Sequence, residues 1–236
     1  MRKFVYVPLK EVKEKRAYCS DKMNQLKQDL LNKGWDADFN LVGSGAKGLV
    51  TRIEGQGFDL DYNLVINDSF DNINRQEFKD DVMKFLNGIK DAEIQEPFKD
   101  CEDSKSVITS KLVVDGKLEF HFDVAILAKN SICNFCRLIH DKTLGDERYL
   151  WNEVPNSREV HDKFDTLKRD GHFQDIRDTY LVKKNMYLTR NDSEHPSFVV
   201  FVETVNEVFT QYYKPKDEIR VVSTAMEIAP LAKINF

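Results

Sequence analysis

A nine-residue segment constrains the fold of this chain more than any other stretch. Residues 58–66, FDLDYNLVI, alternate apolar and polar side chains, and the apolar set is Phe58, Leu60, Tyr62 and Leu64. Because successive side chains of a β-strand point to opposite faces, Asp59 and Asp61 share the other face. The pattern predicts a strand that buries one face and displays two carboxylates on the other.

A second predicted strand carries a third carboxylate. Residues 106–114 and 117–127 flank Asp115-Gly116, a dipeptide typical of the two-residue turn of a β-hairpin. One face of the later strand carries the apolar residues Leu118, Phe120, Phe122 and Val124. The opposite face carries Glu119, His121 and Asp123. If this strand lies near the 58–66 strand with the polar faces aligned, the three aspartates converge.

Helical periodicity surrounds these strands. Residues 11–31 carry apolar side chains at helical spacing, and Gly34 stands where a helix would end. The apolar set is Val12, Cys19, Met23, Leu26 and Leu30. A short strand is predicted at 38–42, and further helices are predicted near 73–89, 156–170, 172–190 and 196–213.

The order of these elements predicts two domains. No convincing strand pattern appears between residue 130 and the tail, whereas strands and helices mix before it. We therefore predict an α+β fold, a mixed sheet with flanking helices in residues 1–130, followed by a helical domain in residues 131–236.

A glycine-rich turn precedes the paired aspartates. Residues 43–48 read GSGAKG, and their backbone N–H groups and the Ser44 hydroxyl can hold phosphate oxygens. Converging carboxylates repel one another unless cations bind, and oxygen ligands of this kind suit Mg²⁺ or Mn²⁺. Two such ions about 3.5–4 Å apart can activate an attacking hydroxyl and stabilise a leaving pyrophosphate.

This order of motifs resembles the DNA-polymerase-beta-type nucleotidyltransferases, in which Gly-Ser ends a strand, Asp-x-Asp lies on the next strand and a third Asp on a later one. Residues 43–66 are most similar to the branch that contains oligoadenylate synthases, cyclic GMP-AMP synthase and the bacterial cyclic-oligonucleotide synthases. The resemblance rests on motifs over residues 38–127 and on architecture alone after that. The spacing from Ser44 to Asp59 is somewhat longer than in compact members, and the loop 55–57 accounts for the excess.

The resemblance implies transfer of an NMP from an NTP, with ATP as the expected substrate. It makes Asp59 and Asp61 metal ligands, and Asp123 both a ligand and the base for the acceptor hydroxyl. The phosphates are expected at Gly43, Ser44 and Lys47. In the helical half, the candidate nucleotide ligands are Lys183, Lys184 and Ser197, the last beside Phe198. The alternative for these residues is a solvated lysine face and a core phenylalanine.

Two other glycine motifs fail on spacing. Gly43, Gly45 and Gly48 spell G-x-G-x-x-G, but a dinucleotide-binding fold needs a full crossover helix before the next parallel strand. Only nine residues separate Gly48 from Phe58. A phosphate-binding loop of the GxxxxGK[ST] type fails because Leu49 follows Gly48.

Three further clusters have structural alternatives. Cys133, Cys136 and His140 form C-x2-C-x3-H, for which we favour packing on one face of a helix over zinc, because a second ligand pair is missing. Arg190-Asn191 and His195 resemble the R-N-x3-H signature of HEPN-type ribonucleases, against which stands a simple turn between helices. His121 is interpreted as a neutral, hydrogen-bonded spacer beside Asp123 rather than a residue that orients the substrate.

Charge distribution restricts the partners. Residues 1–40 hold 9 Lys and Arg against 6 Asp and Glu, whereas residues 41–130 hold 11 against 17. The acidic middle argues against a broad nucleic-acid face, although the basic first helix keeps RNA among the candidate partners. No apolar run reaches the roughly 20 residues of a membrane span. With neither a secretory signal nor a disulfide framework, we expect a cytoplasmic protein without a membrane partner.

The sequence therefore predicts a metal-dependent nucleotidyltransferase with NTP bound between the two domains. The acceptor is left open between another nucleotide, as in a second-messenger or oligonucleotide synthase, and a tRNA, protein or antibiotic. An alternative of another class is a catalytically silent nucleotide-binding or antitoxin-like partner.

Overall fold

The computed structural model describes residues 2–68, 70–88, 100–114, 117–132, 134–144, 148–192 and 195–213. It divides into two compact units, Met1–Pro155 and Asn156–Phe236. The predicted Asp115-Gly116 turn and Cys133 lie outside the described residues. Among the described residues, no helix has both the length and the apolar character needed to cross a membrane.

The described part of the first unit is built from strands and three α-helices. The helices are α1 (Leu9–Asn32), α2 (Gly43–Lys47) and α3 (Arg75–Gly88). The strands are β1 (Phe4–Tyr6), β2 (Ala37–Val42), β3 (Thr51–Ile53), β4 (Phe58–Ile66), β5 (Glu102–Asp103), β6 (Ile108–Val114), β7 (Lys117–Lys129), β8 (Phe135–His140) and β9 (Tyr149–Glu153). A single turn of 3₁₀ helix at Phe70–Asn72 precedes α3.

A mixed seven-stranded sheet organises this unit. Its path runs β2-β4-β7-β6-β5, and β8 pairs with the end of β7 and with β9. The β4–β7 pair is parallel, whereas the other pairs of the sheet are antiparallel. Strands β1 and β3 form a separate two-stranded sheet. The α+β class and the mixed sheet with flanking helices are therefore confirmed.

One face of the sheet forms the core of the first unit. Strand β4 alternates buried and half-buried residues over its whole length, as its sequence predicts. The buried side chains of β4 and β7 join those of α1 and α3 in one cluster, which includes Met23, Leu26, Leu60, Tyr62, Phe78, Phe120 and Phe122. Each fully buried side chain of this size contributes about 1.5–3 kcal/mol, so the sheet is held firmly on one side. The opposite, polar face of the sheet is not part of this core.

The sheet continues beyond the predicted domain boundary. Strands β8 and β9 lie after residue 130, where we expected helices, and the two units divide between Pro155 and Asn156. Strand β8 shows no period of two because Phe135 and Ile139 on one face and Leu138 on the other are all apolar. The predicted helical packing of Cys136 and His140 is likewise corrected, since both lie on the buried face of this strand.

In its described residues, the second unit contains three helices, α4 (Arg158–Arg169), α5 (Phe173–Thr189) and α6 (Ser197–Tyr213). Helix α6 packs against both of the others. The buried side chains follow the predicted helical spacing and include Val160, Phe164, Leu167, Ile176, Tyr180, Val200, Phe201, Val205 and Val208. This part of the helical domain agrees with the prediction.

Candidate active site

The paired aspartates lie on the face of β4 that turns away from the core. Phe58, Leu60 and Tyr62 are buried, whereas Asp59 and Asp61 between them are only half-buried. The alternation of a strand leaves both carboxylates on one face, two residues apart. The sequence predicts this placement correctly.

The register of β7 brings the third aspartate beside them. In the parallel β4–β7 pair, Asp61 is the partner of Asp123 and Asp59 is the partner of His121. Neighbouring strands lie about 4.7–4.9 Å apart, so the four side chains form a compact patch on the polar face. We call Asp59, Asp61 and Asp123 the carboxylate cluster.

The glycine turn closes on this cluster from the β2 side. Val42, the last residue of β2, is the partner of Asp61, and Gly43 begins α2 directly after it with φ at +60°. A Cβ atom at Gly43 would lie 2.1 Å from Oδ2 of Asp61. Only glycine therefore fits both the backbone conformation and the close approach of the carboxylate.

Burial and like charge both act on the cluster. Burial first, and then the charges of Asp59 and Asp123, raise the pKa of Asp61 to about 6. Burial also raises the pKa of Asp123, with Asp59 acting in the same direction. Ionised carboxylates held this close are destabilising unless a cation neutralises them, which is the arrangement expected of a divalent metal site.

Two cations act on Asp61 in the opposite direction. Lys47 and Arg137 both lower the pKa of Asp61. Lys47 lies in α2, where its Nζ donates to the carbonyl of Gly43 at 3.3 Å. Arg137 lies on β8, and nothing in the sequence motif points to it. It joins the site only through the register of β8 on β7.

Asp123 has a partner that sequence reasoning missed. The hydroxyl of Thr109 on β6 donates to Oδ1 of Asp123 at 2.5 Å, and the two residues are partners in the β6–β7 register. This oxygen therefore points toward β6 rather than β4. Among the described residues, no group of three or more His, Cys, Asp or Glu side chains is arranged to hold a metal ion as it stands. Oδ2 of Asp123 is the oxygen left for such a role.

His121 lies in the same patch. Its ring is half-buried, and Nδ1 is buried with no hydrogen-bond partner among the described residues. The predicted hydrogen-bonded spacer role therefore finds no support at Nδ1. Its charge, when present, lowers the pKa of Asp123.

The nucleotide ligands predicted in the helical half lie in the second unit. Lys184 Nζ donates to the Ser197 hydroxyl at 2.9 Å, which joins two of the three candidates. Lys183 turns to Glu207, with 2.8 Å between Nζ and Oε2. Phe198 is 52% exposed, which contradicts the alternative of a core phenylalanine.

The histidines of the other candidate sites are held by acidic residues. His195 lies between Asp192 and Glu203, with 2.9 Å from Nδ1 to Asp192 Oδ2, and its ring stacks on Tyr187 at 4.0 Å. Arg190 caps α5, so the R-N-x3-H segment occupies the connection between α5 and α6. His140 Nδ1 lies 2.6 Å from Asp103 Oδ2. Both rings are fixed by structural contacts.

Comparison with known proteins establishes the fold. No protein-family model and no curated protein matches the sequence. Among solved structures, the chain is similar to the DncV cyclic AMP-GMP synthase of Vibrio cholerae, a prokaryotic cGAS homologue, with 18% identity and a TM-score of 0.51 over 82% of this chain and 51% of that one. It is also similar to CdnC of E. coli MS115-1, solved with ATP, with 14% identity and a TM-score of 0.52 over 86% of this chain and 62% of that one.

A third structure shows DncV with the linear intermediate 5′ pppA(3′,5′)pG, at 18% identity and a TM-score of 0.52 over 74% of this chain and 47% of that one. The chain thus spans about half to three fifths of the length of these proteins. The predicted resemblance is confirmed at the level of fold. The chain shares its fold with these bacterial synthases.

Proposed function

We propose that this protein is a metal-dependent nucleotidyltransferase that transfers an NMP from an NTP to an acceptor hydroxyl and releases pyrophosphate. The observation that carries the proposal is the register pairing of Asp61 with Asp123 beside the Gly43 turn. The fold shared with DncV and CdnC, which are solved with nucleotides bound, supports a nucleotide acceptor and a cyclic or linear oligonucleotide product.

The proposed role of each aspartate follows from its position in the carboxylate cluster. Asp59 and Asp61 would hold Mg²⁺ or Mn²⁺ through their carboxylate oxygens, together with Oδ2 of Asp123. When bound, the metal supplies charge neutralisation at the phosphates and lowers the pKa of the attacking hydroxyl. Asp123 accepts the proton of the acceptor hydroxyl, for which burial prepares it by raising its pKa.

The donor phosphates belong at the glycine turn. Gly43 and Lys47 lie beside Asp61. The backbone N–H groups of Gly43 and Ser44, the Ser44 hydroxyl and the Lys47 ammonium suit phosphate oxygens. In the second unit, the candidate nucleotide ligands are Lys184 and Ser197, since the Lys184 ammonium and the Ser197 hydroxyl already lie together and both can donate to phosphate. Lys183 would contact the nucleotide only after its ion pair with Glu207 is broken.

Labelled nucleotides test the proposal. The protein is incubated with each α-labelled NTP in Mg²⁺ or Mn²⁺, and the products are separated. We expect nucleotide products and pyrophosphate from the wild type, and a loss of at least 10³-fold in rate for Asp59→Asn and Asp61→Asn. Asp21→Asn, at an exposed position of α1, is the matched control and retains activity.

The other outcomes separate the alternatives. Label that appears only on added tRNA, protein or antibiotic identifies a different acceptor. Metal-dependent NTP binding without any product identifies a catalytically silent nucleotide-binding protein. RNA cleavage that survives Asp59→Asn but is lost in His195→Ala would replace the proposal with the ribonuclease function.

A further inference from the structure

The outer edge of strand β9 has no neighbouring strand among the described residues. Strand β9 pairs with β8 alone, at the end of the branch that leaves the sheet at β7. The amide of Val154 donates to the carbonyl of Phe135 at 2.8 Å, and the amide of Asp141 donates to the carbonyl of Arg148 at 2.7 Å. Because the backbone groups of an antiparallel strand point alternately to its two sides, the even-numbered residues of 148–154 face β8. The odd-numbered residues between them face away from it.

The backbone groups on this outer side are open. Tyr149, Trp151 and Glu153 each direct one N–H and one C=O away from β8. None of these groups has a hydrogen-bond partner in the part of the chain that the structure describes. An open strand edge is a template for another strand, and proteins usually shorten it, cover it or place charges along it. The edge of β9 is therefore available to a further strand.

A second copy of β9 can pair with all of these groups in a single register. In antiparallel pairing about a two-fold axis, residues that face outward must lie opposite residues that face outward. All three outward residues are paired only when Trp151 lies opposite Trp151 of the second copy. Tyr149 then lies opposite Glu153 of the second copy, and Leu150 lies opposite its Asn152.

This register also brings opposite charges together, twice by symmetry. The guanidinium group of Arg148 lies 5.2 Å from the centroid of the Tyr149 ring, and Glu153 accepts a hydrogen bond from Asn134. Neither charge forms an ion pair with another described residue. Directly opposite residues have Cβ atoms about 4.5–5.5 Å apart, so Glu153 of the second copy, opposite Tyr149, comes within reach of Arg148.

Apolar side chains surround the open edge. Ile132, Phe135, Leu144 and Leu150 are between 37% and 72% exposed, and they lie on β8, on β9 and in the turns that flank β8. Single exposed apolar residues are ordinary, but a group of them beside an open strand is typical of a protein contact. We propose that β9 pairs antiparallel with β9 of a second copy and joins the two sheets across a two-fold axis. This inference does not depend on the proposed function.

Sedimentation velocity at protein concentrations from about 1 to about 200 µM tests the pairing. The contact is short, so we expect a monomer–dimer equilibrium with a Kd in the micromolar range. Glu153→Arg and Arg148→Glu each place like charges opposite one another and should raise this Kd at least about 10-fold. The double variant restores opposite charges and should return the Kd to within about 3-fold of the wild-type value.

The matched control is Lys84→Glu, a charge reversal at an exposed position of α3 in the same unit. It should leave the Kd unchanged. Thermal unfolding of every variant shows whether the monomer is still folded. A wild type that is monomeric over the whole concentration range would overturn the inference. So would a dimer whose Kd is the same in both single charge reversals, or a double variant that associates no better than they do.

Cross-linking tests the register without changing a charge. Leu150 and Asn152 of the second copy form a non-hydrogen-bonded pair, whose Cα atoms lie about 4.5 Å apart and suit a disulfide. Leu150→Cys combined with Asn152→Cys should therefore give a covalent dimer on mild oxidation. Leu150→Cys alone should not exceed the wild-type background, because its counterpart lies two residues away along the strand. Equal cross-linking of the single and double variants would exclude this register and overturn the inference.

Discussion

At the scale of single residues, Asp61 combines the strongest functional assignment with an energetic cost. Burial and the neighbouring carboxylates raise its pKa to about 6 in the folded protein, from an ordinary value of 3.8. A raised carboxyl pKa means that the folded state binds more protons than the unfolded state between about pH 4 and pH 6. Stability therefore falls as pH rises through this window and stays lower above it. The loss from this one group is roughly 3 kcal/mol when complete.

Removing this charge should stabilise the metal-free protein. We expect Asp61→Asn to increase the free energy of unfolding by roughly 1–3 kcal/mol at pH 7.5 in EDTA, and to have little effect at pH 4. Urea unfolding at the two pH values measures the difference. Asp21→Asn is the control, and it should change stability by no more than about 0.5 kcal/mol at either pH.

Saturating Mg²⁺ should reverse the order of the two proteins, because the wild type gains binding energy that Asp61→Asn lacks. An Asp61→Asn variant that is less stable than wild type in EDTA at pH 7.5 would contradict the electrostatic account of the cluster.

Gly43 offers a second test at this scale, with a control built into the chain. Gly43 and Gly55 both have positive φ, at +60° and +77°, but a Cβ atom at Gly55 would have no neighbour within 4 Å. We expect Gly55→Ala to cost about 1–2 kcal/mol from backbone conformation alone. Gly43→Ala carries the same cost and also displaces Asp61, so it should lose nucleotidyl transfer at least 10²-fold.

Thermal unfolding and the labelled-NTP assay measure the two effects on the same preparations. Activity in Gly43→Ala equal to that in Gly55→Ala would show that Asp61 and the turn need not lie this close.

Some residues of the site could be predicted from the sequence, and others could not. The alternation in residues 58–66 predicts Asp59 and Asp61, and the same reasoning on β7 predicts Asp123. Thr109 and Arg137 have no such signal, because each joins the cluster through strand register, which depends on the whole sheet. His121 was predicted as a hydrogen-bonded spacer, and its unpartnered Nδ1 shows how strongly burial depends on neighbours that are distant in sequence.

At the scale of elements, a buried ionic cluster joins α3, β5 and β8. Lys79 Nζ lies 2.5 Å from Asp103 Oδ1, and His140 Nδ1 lies 2.6 Å from Asp103 Oδ2. Lys79 is only 3% exposed. Burial alone would raise the pKa of Asp103, but hydrogen bonds and charge from Lys79 and His140 leave it below its usual value. This cluster anchors β8, the strand that carries Arg137.

Breaking this ionic cluster should lower the free energy of unfolding. We expect Asp103→Asn to lower the free energy of unfolding by about 3–5 kcal/mol, because it leaves the buried Lys79 charge unpaired. The lowered pKa of Asp103 contributes stability above about pH 4, and this contribution is lost as pH falls through the folded-state pKa. Asp103→Asn should therefore differ from wild type at pH 7 and converge with it in strong acid.

Glu102→Gln supplies the control for the same strand. Its pair with Lys111 is exposed, so its removal should cost no more than about 1 kcal/mol. Chemical unfolding of the three proteins across pH gives both numbers, and equal costs for the two variants would contradict a buried role for Asp103.

Elements were predicted best where one face is apolar and the other polar. Helix α1 and strands β4 and β7 meet this condition, whereas β8 has apolar residues on both faces. Strand β9 is too short for an alternating pattern to be recognised in its sequence. Because these two strands were not recognised, the domain boundary was predicted near residue 130 instead of after Pro155. A strand that completes a sheet is specified by its partner as much as by its own pattern.

At the scale of the whole molecule, each unit carries its own candidate ligand residues, and their effects on stability can be measured separately. A ligand that binds only the folded state stabilises it by about 2.7 kcal/mol at 100 times its Kd. The carboxylate cluster lies in the first unit, and the pair formed by Lys184 and Ser197 lies in the second. Metal and triphosphate should therefore depend on different sets of residues.

Lys184→Met should separate the two dependences. We expect it to weaken NTP binding about 10-fold while leaving the stabilisation by Mg²⁺ alone unchanged, because it removes a phosphate ligand and no metal ligand. Asp59→Asn should instead abolish the Mg²⁺ effect and, with it, the metal-dependent part of NTP binding. Lys168→Met, at an exposed position on α4, is the control within the second unit and should change neither.

Thermal shift measurements with Mg²⁺ alone, and with Mg²⁺ and α,β-methylene ATP, resolve these patterns on intact protein. NTP affinity in Lys184→Met equal to that in Lys168→Met would exclude Lys184 as a nucleotide ligand. A parallel loss of the Mg²⁺ effect in Lys184→Met would instead mean that the variant damages folding, since no carboxylate of the cluster belongs to the unit that it changes.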